Sequence, residues 1–407
     1  MDKAWVGTAI ARIGEFGKAA RGYRRLAFSD ADWAARDYVI GLMRETGLRV
    51  RCDACGNVIG RLAGRDAAAP AVGTGSHVDT VPEGGNFDGV VGTVGGLAAV
   101  RRLAARGTLT HPLEVILFVS EESSRFGFAT MGSKAMAGLA NPAAWVKAKD
   151  PDGRDLPAVL AERGLDVAQL GTAVRQRGEL KAFVEMHIEQ GPVLEKERLQ
   201  IGIVEGIAAP TRLKVIVSGV AGHSGATPMG QRQDALVGAS QVVLAVQAAA
   251  QREAAHGTVG TVGVLKAYPG AINVIPGMVD MMVDIRGIDG PSIGRAVAEV
   301  GAEVARISEA NRTPVTVETL TADPPVPMDP AVVGTIESAC RRLGIRCRRM
   351  PSGAGHDTMN MARIAPAGMI FIPCRGGISH NPDEYASIED ILTGVDVLTE
   401  SLYELAR

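Results

Sequence analysis

Only five cysteines occur among the 407 residues, an odd number in a long chain, which argues against a disulfide framework and fits a reducing compartment. Cys52 and Cys55 form a C-x-x-C, yet no second such pair follows, so both read as buried or incidental thiols rather than a zinc or redox site. Neither sign of charge is in excess: 43 Lys and Arg against 45 Asp and Glu leave a net −2, without the basic footprint of a nucleic-acid binder. No apolar run approaches the length of a membrane span; the longest, such as 115–119, suit strands. The opening MDKAWVGTAIARIGEFGKAARGYRR lacks a continuous apolar segment and mixes acids with bases, which argues against secretory and organellar targeting. There is no G-x-x-x-x-G-K-[ST], and no G-x-G-x-x-G between a strand and a helix, so the glycines do not announce a nucleotide. These absences predict a soluble, cytoplasmic protein with neither nucleic acid nor membrane as a partner.

What is present is enough apolar material, 46% of residues, for two domains. Residues 33–47 and 94–105 have helical spacing, and PAVGTGS, LEVILFVS, KAFVEMHI and AGMIFIPC are short buried-strand runs between helices. That alternation predicts an α/β core: a mixed, largely parallel sheet flanked by helices. From about residue 210 the order changes to strand, helix (234–253), two strands, helix (291–309), strand, the signature of an inserted ferredoxin-like α+β domain. The proline-rich 321–330 reads as the return linker. The expected division is 1–209 with 322–407 for the larger domain and 210–321 for the insertion.

Histidine is scarce too, at seven residues, and five of them sit at strand ends or in glycine-flanked turns beside carboxylates or amides. His77 follows a strand and precedes Asp79 by two residues, a spacing that lets a carboxylate fix the tautomer of a ligating imidazole. Asp88 follows after a glycine-rich turn as a candidate oxygen ligand. Glu121 and Glu122 end the next strand, where one carboxylate could bind metal while its neighbour acts as general base on a water. His187, with Gln190 nearby, ends a third strand, and His380 follows a fourth. Open α/β sheets collect their sites at the carboxyl ends of strands, and these ligand types suit a two-metal hydrolase centre able to accept zinc, manganese, cobalt or nickel.

GSHVDTVPEGGNFDG, SEESSRF, EMHIEQGPVLE, GHSGATPM, NVIPG, SGAGHD and GISHNPDE occur in the order found in N-carbamoyl-L-amino-acid hydrolases and allantoate amidohydrolases, and the chain resembles that family over nearly its whole length. These enzymes form the dinuclear-metal branch of the carboxypeptidase and aminoacylase-type hydrolases. The resemblance implies a di-zinc exopeptidase-like catalytic domain with two divalent metal ions. His77, Asp88 and His187 would hold one, and Asp88, Glu122 and His380 the other, with Asp88 bridging. It implies Glu121 as general base and Asp79 as the group that orients His77. The inserted domain resembles the family's lid and dimerisation domain, which implies a homodimer. Within it, His223 resembles a histidine that reaches a neighbouring subunit's site, and Asn273 and Arg286 resemble the residues that hold a substrate carboxylate. Gln190 and the backbone of Gly353, Ala354 and Gly355 would complete the pocket, with His356 and Asp357 in support.

The implied reaction is hydrolysis of the ureido C–N bond of an N-carbamoyl-L-amino acid to the L-amino acid, carbon dioxide and ammonia. Allantoate is the alternative substrate, and an aminoacylase or dipeptidase activity is disfavoured because peptidase relatives usually carry a carboxylate at the position of His187. Departures at Ala209, Pro210, Thr358, Met359 and Asn360 leave the metal chemistry untouched and put the substrate side chain in question.

Overall fold

A computed structural model describes residues 2–107 and 109–407. The chain divides into two compact units, one comprising Met1–Glu205, Met328–Met350 and His356–Arg407, the other Gly206–Pro327 and Pro351–Gly355.

The first unit is built on a mixed sheet in the order Arg49–Cys52, Val58–Leu62, Leu113–Leu117, Ala71–Ser76, Leu180–Ile188, Ala367–Ile372 and Ile201–Ile207. Its four middle members, from Leu113–Leu117 to Ala367–Ile372, run parallel, and the outer pairings are antiparallel. The α/β expectation therefore holds, with the parallel part at the centre. Ala71–Ser76, Leu113–Leu117 and Ala367–Ile372 are buried at every position, as strands covered by helices on both faces must be. Helix Val90–Arg106 buries twelve of its seventeen residues, and its glycines let it approach the sheet closely: a Cβ on Gly92 would lie 2.2 Å from the Met186 carbonyl oxygen. Helix Asp30–Glu45 starts where Ser29 Oγ accepts from Asp32 N at 3.2 Å, a cap worth about 1 kcal/mol.

The second unit contains a four-stranded antiparallel sheet in the order Val315–Ala322, Ala209–Ser218, Met278–Gly287, Val259–Tyr268, with helices Ala235–Arg252 and Gly290–Asn311 between its members in sequence. That is the ferredoxin-like order. Met278–Gly287 begins on an exposed residue and from Val279 alternates between buried and half-buried positions, and Val279, Met281, Val283 and Ile285 pack with Ile293, Ala296, Val300, Val304 and Ile307 of the second helix. The two periods, 2 on the strand and about 3.6 on the helix, meet in one core, each fully buried aliphatic contributing roughly 1.5–3 kcal/mol. The seam lies at Gly206 and Pro327, a few residues outside the 210–321 read from the sequence, where Gly206 and Ile207 pair with Pro327 and Val326.

Candidate active site

The carboxyl ends of the four parallel strands lie along one edge of the first unit's sheet, and each delivers a polar side chain there. His77 comes directly after Ala71–Ser76, Glu121 and Glu122 a few residues beyond Leu113–Leu117, His187 from the last turn of Leu180–Ile188, and His380 from the loop after Ala367–Ile372. Asp88 precedes helix Val90–Arg106, whose N-cap is Gly89 at φ 66°. Ser120, Gln190 and His380 also adopt left-handed backbone, at φ 52°, 57° and 55°, conformations that cost of order 1 kcal/mol each and turn the chain sharply at the sheet edge.

Asp88 lies at the centre. Its Oδ1 is 3.3 Å from His77 Nε2 and 3.1 Å from His187 Nε2, while its Oδ2 is 3.3 Å from His380 Nε2. His380 Nε2 is also 3.2 Å from Glu122 Oε1. The structure thus gathers His77, Asp88 and His187 into one group able to hold a metal ion and Asp88, Glu122 and His380 into another. His77 and His187 both turn Nδ1 to a backbone carbonyl, of Asp79 at 3.0 Å and of Ile188 at 2.9 Å. That places the neutral ring's proton on Nδ1 and the lone pair on Nε2, the tautomer a ligand needs, and the Nε2 of His187 accepts the backbone N–H of Gly89 at 3.2 Å.

Asp79 meets His77 through its carbonyl, with its carboxylate Oδ1 standing 3.6 Å from the same Nδ1, and that carboxylate also accepts the backbone N–H of Glu121 at 3.2 Å and of Glu122 at 3.0 Å. Glu121 is buried, with Oε2 3.7 Å from His77 Nε2.

The electrostatics follow from packing these groups out of water. Burial works against a charged Asp88, but His187, His380 and His77 outweigh it and hold its carboxyl well below the usual range. Burial likewise opposes protonation of His77, and the charges of Glu121, Asp79 and Asp88 outweigh that to hold its pKa well up. Hydrogen bonding to Asp88 and Glu122 pushes His380 up to about 11. Glu121 is raised well above the carboxylate range by burial, reinforced by Glu122, Asp357 and Asp88. Clustered carboxylates that drive their imidazole neighbours cationic form a site that favours positive charge, and three imidazoles with two carboxylates are the donor set that divalent transition metals accept. The residues present fit a pair of such ions.

Gln190 stands beside Asp88, with Nε2 donating to Asp88 Oδ2 at 2.6 Å, and its Oε1 is buried without a partner. His356 packs edge-on against His187 with ring centroids 4.5 Å apart, and burial, with His187 beside it, lowers its pKa well below the usual range. Beneath lies a buried polar layer, of which sequence reasoning named Asp357 and missed Glu185. Glu185 is fully buried, accepting from Ser76 Oγ at 2.7 Å and Thr358 Oγ1 at 2.6 Å, and Asp357 accepts from Ser133 Oγ at 2.5 Å. It also missed Glu384, a buried carboxylate in the loop of His380. Glu185 has no local signal, because Ser76 and Thr358 are distant in sequence, and two of the partners of Glu384, Phe87 and Asp88, are equally remote.

In the second unit, His223 and Asn273 are neighbours, since Gly222–His223 pairs with Val274–Ile275 and Ser224 N donates to the Asn273 carbonyl at 3.0 Å. His223 is exposed and its Nδ1 accepts from Gly225 N at 3.1 Å, so the neutral ring presents Nε2–H as a donor. Arg286 is held by Asp284, with Nε 2.6 Å from Oδ1, and its Nη1 donates to the Gly353 carbonyl at 3.3 Å. Gly353 and Gly355 are exposed, and Ala354 is tied to Ser352 through a turn in which Ser352 Oγ donates to the Ala354 carbonyl at 2.8 Å. The thiols of Cys52 and Cys55 are free, the first exposed and the second buried.

Imidazoles and carboxylates collected at the carboxyl edge of a parallel sheet define a class, hydrolases of α/β architecture with the donor set for divalent metal. Within it, the chain belongs to the peptidase family M20/M25/M40, whose sequence profile matches residues 73–404. It is 40% identical over 400 residues to an N-carbamoyl-L-amino acid amidohydrolase of Geobacillus stearothermophilus, covering 98% of this chain and 97% of that one. It is 42% identical over 389 residues to a ureidoglycolate hydrolase of Oryza sativa subsp. japonica, covering 94% and 80%. Among solved structures, an amidase of the hydantoinase/carbamoylase family from Burkholderia multivorans superposes with a TM-score of 0.92 at 37% identity, covering 99% of this chain and 98% of that one. The resemblance read from the motifs holds, and the protein is a hydrolase of carbon–nitrogen bonds. Among the described residues, no helix is long and apolar enough to cross a membrane.

Proposed function

We propose that the protein cleaves the ureido C–N bond of N-carbamoyl-L-amino acids, yielding the L-amino acid, carbon dioxide and ammonia. The observation that carries the reading is the placement of Asp88, whose two oxygens face different ligand groups, His77 with His187 on one side and His380 with Glu122 on the other. Those five residues would hold two divalent ions, of zinc, manganese, cobalt or nickel. Ions held there supply Lewis-acid polarisation of the scissile carbonyl and acidify a water.

The chain's own groups do the rest. Glu121 takes the proton of the attacking water at its carboxylate and delivers it to the leaving nitrogen. Asp79 fixes Glu121 and Glu122 through their backbone N–H groups. Gln190 Oε1, a buried acceptor with no partner, receives a ureido N–H. Arg286 binds the substrate carboxylate with its planar fork, assisted by Asn273 and the backbone of Gly353, Ala354 and Gly355. His223 donates Nε2–H to the tetrahedral oxyanion from the partner subunit of a homodimer formed through the inserted domain, which also acts as the lid. The working compartment in this reading is the cytoplasm.

A second reading keeps every role and changes the substrate to ureidoglycolate or allantoate. It is favoured by the 42% identity to the rice ureidoglycolate hydrolase, and such substrates also join a ureido group to a carboxylate. One assay separates the two: metal-reconstituted protein is given a panel of N-carbamoyl-L-amino acids, ureidoglycolate, allantoate and a dipeptide, and ammonia and the organic product are both measured. Free L-amino acid with ammonia supports the first reading. Ammonia from ureidoglycolate or allantoate alone supports the second, and cleavage of the dipeptide alone sinks both.

A further inference from the structure

Glu384 reaches Asp88 and His380 through their backbone N–H groups, and it is among the most thoroughly bonded carboxylates of the described residues. It is 4% exposed. Its Oε1 accepts from the backbone N–H of Phe87 at 2.9 Å and of Asp88 at 3.0 Å. Its Oε2 lies 3.0 Å from Ser379 Oγ and accepts from the backbone N–H of His380 at 3.3 Å. One side chain therefore joins its own loop to one almost 300 residues away, bonding the backbone of Phe87, Asp88 and His380 and the hydroxyl of Ser379. Ser379 Oγ is also 3.1 Å from Asp88 Oδ2, so its single proton is shared between the two carboxylates.

The neighbourhood is shaped around this clamp. A Cβ on Gly85 would lie 2.2 Å from Glu384 Oε1 and 2.4 Å from its Cβ, so only glycine leaves room. His380, which carries the left-handed φ of 55°, is held in that conformation partly through the bond from its own N–H. Phe87 and Tyr385, flanking the clamp on its two loops, pack edge to face with centroids 5.4 Å apart. His77 and His187 are attached differently: one follows and one belongs to a buried central strand, and their positions do not depend on Glu384.

We propose that Glu384 is a positioning residue that sets the distance between Asp88 and the Glu122–His380 side of the site, and so governs how tightly that side binds its metal. The proposal rests on the two-metal reading above. A carboxylate that accepts four hydrogen bonds from two loops loses half of that pattern when it becomes an amide, since the amide nitrogen cannot accept. Residues behind metal ligands typically change affinity by 10–100-fold when removed.

The test is calorimetric titration of metal-free protein with Co(II) alone, comparing the wild type with Glu384→Gln and Gly85→Ala. The second variant keeps the carboxylate and pushes it out of place. The visible absorption of bound Co(II) reports the coordination at each step, and circular dichroism checks that each variant is folded. The wild type should take up two ions. Both variants should keep the first binding step and weaken the second by roughly 10–100-fold, with KM at saturating metal unchanged. Two ions bound by Glu384→Gln at wild-type affinity would overturn the proposal. So would an equal loss at both steps, which is what a generally loosened fold produces. A wild type that binds fewer than two ions would instead overturn the two-metal reading, a failure read from the control and not from the variants.

Discussion

Gly89 lies directly against the ring of His77: a Cβ at that position would stand 2.5 Å from three of the imidazole atoms. The same glycine sits at φ 66° at the start of helix Val90–Arg106, so steric room and backbone conformation both require it. Gly89→Ala should displace the imidazole, lower the melting temperature and abolish the tighter metal-binding step, as checked by titration with Co(II). An alanine variant that folds and binds two ions like the wild type would show that the ring tolerates movement.

Glu121→Gln is expected to lower kcat by about 10²–10⁴ while leaving metal stoichiometry unchanged, because its carboxylate is assigned to proton transfer and not to coordination. Metal analysis beside steady-state kinetics makes the distinction. Loss of an ion in the variant would move Glu121 into the ligand set.

The role proposed for His223 from the partner subunit has a specific signature. His223→Ala and Glu121→Gln should each be nearly inactive alone, and co-refolded together they should regain activity, because a mixed dimer carries one site with both groups intact. Full turnover by His223→Ala, or no recovery in the mixture, would remove the partner's histidine from the mechanism.

Exposure differs sharply between the two metal groups: the His380 side chain is 50% exposed, those of His77 and His187 only 2% and 1%. Chelation should therefore proceed in two phases, the faster one releasing the ion on the Glu122–His380 side. Stopped-flow with a chromogenic chelator would reveal a single phase if both groups opened together.

Asp32 offers a pH test away from the metal groups. Burial pushes its pKa from 3.8 to about 7, with Asp79 adding to that and Arg36 opposing it, and Oδ1 has no partner, as suits a protonated acid. A folded-state pKa above the unfolded one means that this group's stabilisation is complete below 3.8 and is lost as pH rises through about 7. Asp32→Asn should flatten the dependence of unfolding on pH across that window by up to about 1.4 kcal/mol per pH unit. Denaturant midpoints measured at several pH values would check it, and parallel curves for wild type and variant would refute it.

How much of this was legible in the chain depends on how local each signal is. Strand and helix runs such as LEVILFVS and 291–309 announce themselves because periodicity is set by a residue's immediate neighbours, and the strand at Leu113–Leu117 and the helix at Gly290–Asn311 follow. His77, Glu122, His187 and His380 could be nominated because a parallel sheet sends the ends of its strands to one edge. The clamp made by Glu384 could not, since two of its four hydrogen bonds reach back 296 and 297 residues. The further use Asp79 makes of its carboxylate was hidden for a similar reason: the i, i+2 spacing suggested His77, and the N–H groups it also binds belong to residues 42 and 43 positions on. The return seam, at Pro327, falls inside the proline-rich 321–330, whereas no composition change marks the other seam at Gly206, within a strand.

Asp79 receives the His77 ring on its carbonyl and the Glu121 and Glu122 amides on its carboxylate. An imidazole and the two carboxylates beside it therefore share one mechanical support, and a change that shifts any of them is felt by the others. Substitutions in this trio should be epistatic: the double variant at His77 and Glu121 loses less than the product of the single losses, and sequence drift here is confined to concerted replacements.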